Sequence, residues 1–225
     1  MLIVALDPPF GPSGEYRVLK IVEDTCDIVS GYKVGLPLLL VEGPSIVRAV
    51  KKKCEEKKLV ADLKLADIGA VMSFVARVLR ELGADAIIAH SFTGVKGALD
   101  ELVQAARSSG LDTILVASMS HEGSAEFVDK HFEEFVSVAL QLGVHGVVVG
   151  ATKPWLIKRA RELSGERLAI YSPGIGAQGA KPGDALCAGA NYEIVGRLIT
   201  KASEPRTAAY SVVQAQLSRV GECRG

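Results

Sequence analysis

The chain has 225 residues, of which 48% are apolar, and it carries 26 basic and 26 acidic side chains. That length predicts one domain spanning 1–225 with a sizeable core, and the charge balance gives no electrostatic basis for nucleic acid or an anionic membrane as a partner. No apolar run reaches the roughly 18 residues of a membrane span, and the N-terminal apolar stretch stops at Leu6, too short for a signal segment, so a cytoplasmic location is expected.

Short apolar runs rich in β-branched residues alternate with longer stretches of helical period. In chain order the runs are LIVALD (2–7), DIVSGYKV (27–34), KLVADLK (58–64), DAIIAH (85–90), TILVAS (113–118), HGVVVG (145–150), RLAIYS (167–172) and YEIVG (192–196). The stretch 67–83 predicts a helix that buries Val71, Phe74, Val75, Val78, Leu79 and Leu82 on one face, and 94–110 predicts another. Gly83 and Gly110 stand where a helix C-terminus favours a left-handed residue. Strands apolar along their length suit a parallel sheet covered by helices. Eight such units predict an α/β fold, a single-domain (β/α)8 TIM barrel. A doubly wound sheet is the alternative, weakened because no GxGxxG follows the first strand. Cys26, Cys54, Cys187 and Cys223 form no CxxC or metal-ligand pattern and read as reduced thiols. Asn191 is the only asparagine, a depletion seen in heat-adapted proteins.

In such a barrel the reacting groups stand at the strand ends, which here offer Asp7, Lys33, Asp62, Lys64, His90 and Ser118. The segment ADLKLAD (61–67) is the most informative. Asp62 and Lys64 are two apart on a strand and so share a face, which in a barrel is the interior. Buried charges must compensate one another or serve a ligand. Asp67 follows at the mouth, and Lys33 on the neighbouring strand extends the set into an alternating chain of lysines and carboxylates. A purely structural ion-pair network is the other reading. His90 reads as a hydrogen-bonded interior histidine, His121 as part of a loop, His145 as lying at the opposite end of the barrel, and Lys51, Lys52, Lys53, Lys57 and Lys58 as a solvated helix end.

The segment DLKLAD matches the DxKxxD motif of the orotidine 5′-phosphate decarboxylase superfamily, and the similarity runs along the whole chain. VALD (4–7) resembles that family's first-strand aspartate and YKVGLPLL (32–39) its second-strand lysine. MSHEG (119–123) resembles the loop that closes on the pyrimidine, and SPGIGAQG (172–179) and IVGRLI (194–199) the two phosphate-gripping turns. One departure is Val71, which stands where many members carry a threonine. A Mg²⁺-dependent sugar-phosphate branch shares DxKxxD but carries a glutamate where this chain has Lys33. A non-catalytic nucleotide-binding barrel is a further alternative.

The resemblance implies decarboxylation of orotidine 5′-phosphate to UMP and CO₂, the last step of de novo pyrimidine nucleotide synthesis, with no cofactor and no metal. It implies Lys64 as proton donor to C6 of the ring, with Asp62, Asp67 and Lys33 completing the catalytic set. Asp7 and Lys33 would bond the ribose, Ser120 the pyrimidine edge, and Gln178 would bridge pyrimidine and phosphate. Pro173, Gly174, Gly176, Gly179, Gly196 and Arg197 would surround the phosphate. It also implies a homodimer in which Asp67, followed by Ile68, enters the partner's site. Four of these residues have a plainer reading: Asp7 as a cap of the turn before Pro8, Ser120 as a helix cap, Gln178 as a surface-loop residue and Arg197 as a surface arginine.

Overall fold

The computed structural model describes residues 1–7 and 14–224, so the turn at Pro8 lies outside the described residues. Eight parallel strands close into a barrel in sequence order: β1 (Leu2–Ala5), β2 (Gly31–Gly35), β3 (Lys58–Leu65), β4 (Ala86–His90), β5 (Asp112–Val116), β6 (Gly146–Val148), β7 (Ala169–Pro173) and β8 (Tyr192–Val195). The seam closes where β1 pairs with β8, Ile3 opposite Ile194 and Val4 opposite Val195. The α-helices are α1 (Gly14–Thr25), α2 (Leu36–Glu42), α3 (Ser45–Lys53), α4 (Gly69–Glu81), α5 (Asp100–Ser109), α6 (Phe132–Leu142), α7 (Pro154–Ser164), α8 (Asp184–Cys187), α9 (Arg197–Thr200) and α10 (Pro205–Arg224).

Each strand divides its side chains between two cores. Ile3, Val60, Ile88, Ile114, Val116, Val148, Tyr171 and Ile194 fill the interior. Their neighbours Leu2, Val4, Val34, Leu59, Ile87, Leu115, Val147 and Ile170 pack beneath the helices. That alternation explains the unbroken apolar runs, since both faces of every strand are covered. The same parity carries Lys33 and Asp62 inward at the C-terminal ends of their strands. At the opposite end, His145 lies 3.1 Å from Lys58 and 3.4 Å from Asp112. The lysines expected as a solvated helix end are partly ion-paired there, Lys51 with Asp85 and Lys58 with Asp112, each at 2.8 Å.

Two expectations are corrected. In α4 the buried positions are Gly69, Met72, Ser73, Ala76 and Leu79, whereas Val71 and Phe74 are exposed. The small residues form the inner side because α5 packs close: a β-carbon at Gly69 would lie 2.6 Å from the Glu101 side chain. Val71 and Phe74, with Ile68 and Phe92, are large apolar side chains left exposed. The cysteines, second, are not free thiols. Cys26 bonds Cys54 and Cys187 bonds Cys223, each pair with its Cα atoms 6.0 Å apart. Separations of 28 and 36 residues give no local motif. The partners meet only because folding brings the ends of α1 and α3 together, and lays α10 on α8. Disulfides of this kind do occur inside cells of hyperthermophiles.

Candidate active site

Strand β3 is irregular where its charged residues lie. Its pairing with β4 shifts register between Ala61 and Leu65, and Lys64 has φ 49°, the only positive φ outside glycine among the described residues. A bulge of this kind bends a strand and re-aims its side chains. Here the result is a continuous charge chain. Lys33 donates to Asp7 at 2.6 Å and lies 3.1 Å from Asp62, and Lys64 donates to both Asp62 oxygens at 2.9 Å. Gly35 makes room for it, since a β-carbon there would lie 2.1 Å from Asp7 Oδ1. Sequence reasoning passed over this glycine, although GYKVG placed it two residues beyond Lys33.

Burial alone would push the Asp62 carboxyl up, but Lys33 and Lys64 outweigh it and hold it below the usual carboxylate range. Burial likewise works against the Lys33 ammonium, and Asp62 and Asp7 more than compensate, so it stays charged above the usual lysine value. The other Asp7 oxygen is buried without a hydrogen-bond partner among the described residues, an acceptor available to a ligand hydroxyl. His90 departs from the expectation of a satisfied interior histidine. Its Nδ1 is buried without a partner among the described residues, and burial, then the Lys64 charge, push its pKa down.

Above the chain lies a cleft of two adjoining lobes, each about 300 Å³. Lys33, Asp62, Ser120, Pro173, Gln178 and Ile194 border both. Lys64 opens onto the lobe walled by Ile88, Met119, His121 and Val148. Asp7, Gly174, Gly196 and Arg197 border the other. Gly174 has φ 111°, and a β-carbon there would lie 3.0 Å from Ser120 Cβ and 3.1 Å from Gln178 Oε1. That glycine therefore lets the phosphate-type turn approach the β5–α6 loop. Arg197, at the start of α9, is exposed and pairs with no carboxylate among the described residues.

Four expected residues stand apart from the cleft. The Gly176 N–H donates to Ala180 O at 2.7 Å and the Gly179 N–H to Gly176 O at 3.0 Å, so both amides are occupied within the turn. Asp67 and Ile68 are exposed, with Asp67 Oδ1 accepting from the Ile68 N–H at 2.7 Å. Conversely, a group missed in the sequence underlies the β5–α6 loop: Lys153, after β6, is buried and ion-paired with Asp129. Its only sequence signal is a pair of polar residues, Thr152 and Lys153, after an apolar strand.

The model of the orotidine 5′-phosphate decarboxylase / HUMPS family matches residues 1–212. An orotidine 5′-phosphate decarboxylase of Aeropyrum pernix is 41% identical over 223 residues, covering 98% of this chain and 90% of that protein. The crystal structure of orotidine 5′-monophosphate decarboxylase from Sulfolobus solfataricus is similar with a TM-score of 0.87 at 36% identity, covering 97% of this chain and 98% of the other. That of the Methanocaldococcus jannaschii enzyme, complexed with the inhibitor BMP, also has a TM-score of 0.87, at 34% identity, covering 96% and 97%.

Proposed function

This chain belongs to the orotidine 5′-phosphate decarboxylase / HUMPS family, and we propose that it decarboxylates orotidine 5′-phosphate to UMP, with Lys64 as the proton donor. The observation that carries this reading is the Asp7–Lys33–Asp62–Lys64 chain beneath a cleft with one largely apolar lobe. Cleaving the bond between C6 and the carboxylate leaves an electron pair on C6 in the ring plane, where the π system does not delocalise it. An ammonium beside C6 stabilises that charge and then transfers a proton to it. Two charges 4 Å apart interact by about 4 kcal/mol at an effective dielectric of 20, roughly a thousandfold in rate, so Lys64 works alongside other contributions. Asp62 faces the substrate carboxylate, a repulsion lost as CO₂ departs, and it keeps Lys64 in place.

The bound nucleotide runs across both lobes. Its pyrimidine lies by Ser120 over Lys64, and its ribose hydroxyls meet the unpartnered Asp7 oxygen and Lys33. Its phosphate meets Gly174, Pro173, Gly196 and the fork of Arg197. Gln178 joins the two ends. In this conformation the turn amides of Gly176 and Gly179 are taken, so these glycines serve to shape the turn and reach the phosphate only if it rearranges.

The same reading includes a homodimer, which the surface beside Asp67 supports. Ile68 and Phe74 are each about three-fifths exposed, and with Val71 they recur at three-residue steps along one exposed side of α4, an apolar stripe fit for a two-fold interface. Placed there, Asp67 and Ile68 enter the partner's cleft. The deciding experiment follows orotidine 5′-phosphate absorbance with purified protein in EDTA. Loss of absorbance at an undiminished rate is expected. No loss overturns the reading and leaves the non-catalytic nucleotide-binding barrel, and loss only with added Mg²⁺ favours the sugar-phosphate branch, whose glutamate position is occupied here by Lys33.

A further inference from the structure

The β5–α6 loop is held from below at three consecutive carbonyls. Lys153 Nζ donates to Met119 O at 3.0 Å and to His121 O at 3.4 Å, and Thr152 Oγ1 donates to Ser120 O at 2.9 Å. Lys153 also pairs with Asp129. The other Asp129 oxygen accepts from Ser118 Oγ at 2.7 Å and Ser124 Oγ at 2.6 Å, and Ser124 Oγ accepts from the Met119 N–H at 3.1 Å. The two backbones cross closely, because a β-carbon on Gly150 would lie 2.7 Å from Met119 O and 2.8 Å from Ser120 Cα. Ser120 itself is half-buried and borders both lobes of the cleft.

We propose that the Lys153–Asp129 pair, Lys153 buried and Asp129 partly so, positions Ser120 for the reaction together with Thr152. The inference rests on Ser120 contacting the pyrimidine edge, as read above. Replacing a buried ion pair with an apolar pair of similar volume is often neutral or stabilising, so stability alone does not account for this one. What an apolar pair lacks is direction. Donors aimed at three successive carbonyls leave the loop one backbone conformation, and that conformation aims the Ser120 hydroxyl into the cleft. A misplacement of about 1 Å at such a contact costs on the order of a hundredfold in rate.

A double-mutant cycle with Ser120→Ala tests this. Lys153→Met with Asp129→Asn removes both charges together, so neither is left buried alone. Thr152→Val removes one hydroxyl with little change in volume and serves as the second probe should the double variant fail to fold. Circular dichroism and Tm establish folding, and kcat and KM are measured for orotidine 5′-phosphate. The expected result is a loss in kcat/KM of about 10- to 100-fold for the double variant and a smaller loss for Thr152→Val. Both losses shrink to within about threefold when Ser120 is already alanine, and Lys153→Arg retains most activity. Equal losses in both backgrounds, or no loss in a folded variant, overturn the proposal while leaving Ser120 in its role. A Ser120→Ala enzyme as active as the parent instead removes the reading of Ser120, and the proposal with it.

Discussion

Lys64 places its ammonium 2.9 Å from both oxygens of Asp62, two residues earlier, while its own backbone occupies the left-handed region at φ 49°. A β-carbon in that region costs about 1–2 kcal/mol, a strain of the sort found at functional sites. Lys64→Ala and Lys64→Gly should both abolish turnover while still binding UMP, since each removes the proton donor. Their stabilities should invert the order normal for a strand interior. Glycine should be the more stable by about 1 kcal/mol, a Tm difference of a few degrees. Turnover within tenfold of the parent refutes the donor assignment, and an alanine variant at least as stable as the glycine one refutes the strain.

Arg197→Ala should raise KM by orders of magnitude, because this guanidinium borders the lobe assigned to phosphate and has no carboxylate partner among the described residues. Some loss of kcat should accompany it if phosphate binding energy also holds the loops closed. Orotidine, which lacks the phosphate, provides the control. If the substitution slows orotidine as much as the nucleotide, Arg197 is not the clamp.

The bridges Cys26–Cys54 and Cys187–Cys223 close loops of 28 and 36 residues. Restricting the unfolded chain over such lengths stabilises by about 3 to 4 kcal/mol per bridge. Replacing either pair with serine should lower Tm on the order of 10 °C. The cleft is bordered by neither Cys26 nor Cys54, so kcat below the transition should hold for that pair. Alkylation of denatured, unreduced protein is the direct check, and four modified thiols would contradict both bridges.

Stability should fall with acid in a way that depends on Asp62. Its carboxyl is held below the usual range by Lys33 and Lys64, against the opposing effect of burial. A carboxyl lowered on folding stabilises fully above its unfolded value, near 4, and that contribution disappears as pH falls through the folded value. Asp62→Asn should therefore be less stable than the parent at neutral pH, with the gap closing as pH drops below about 4. Denaturant titrations across that range test it, and a gap that stays constant with pH contradicts the linkage.

The barrel was legible because both faces of every strand are apolar, leaving the charges at the strand ends conspicuous. Asp62 and Lys64 stood out for that reason, whereas the bulge that lets Lys64 turn back onto Asp62 depends on a register shift against β4 that one strand's sequence does not encode. The α4 periodicity misled because that helix has two apolar sides. Gly69, Ser73 and Ala76 are small and lie against the barrel and α5, while Phe74 is large and faces out. Met72 and Leu79 are buried beside those small residues while Val71 is exposed, so apolar residues occupy both sides and a count of apolar positions does not tell which side is covered. The bridges and the Lys153–Asp129 pair were hidden by distance along the chain, since each joins residues 24 or more positions apart with no motif between them.

The exposed apolar residues Ile68, Val71 and Phe74 give the position of Asp67 a consequence that mixing can test. Among the described residues of its own chain Asp67 accepts only the Ile68 amide, and it does not border the cleft. If it serves the partner's site, inactive Lys64→Ala and inactive Asp67→Ala proteins should complement after subunit exchange. In the mixed dimer one site takes Lys64→Ala from its own chain and Asp67→Ala from the other, and so carries both defects. The second site takes wild-type residues from each chain and recovers. Random exchange of equal amounts makes about half the dimers mixed, so about a quarter of all sites should be active, given the two-fold symmetry of an isologous dimer. An active fraction near zero, with exchange confirmed by mass spectrometry of differently tagged chains, assigns Asp67 to its own chain's site. The apolar surface would then have to be explained without a shared active site.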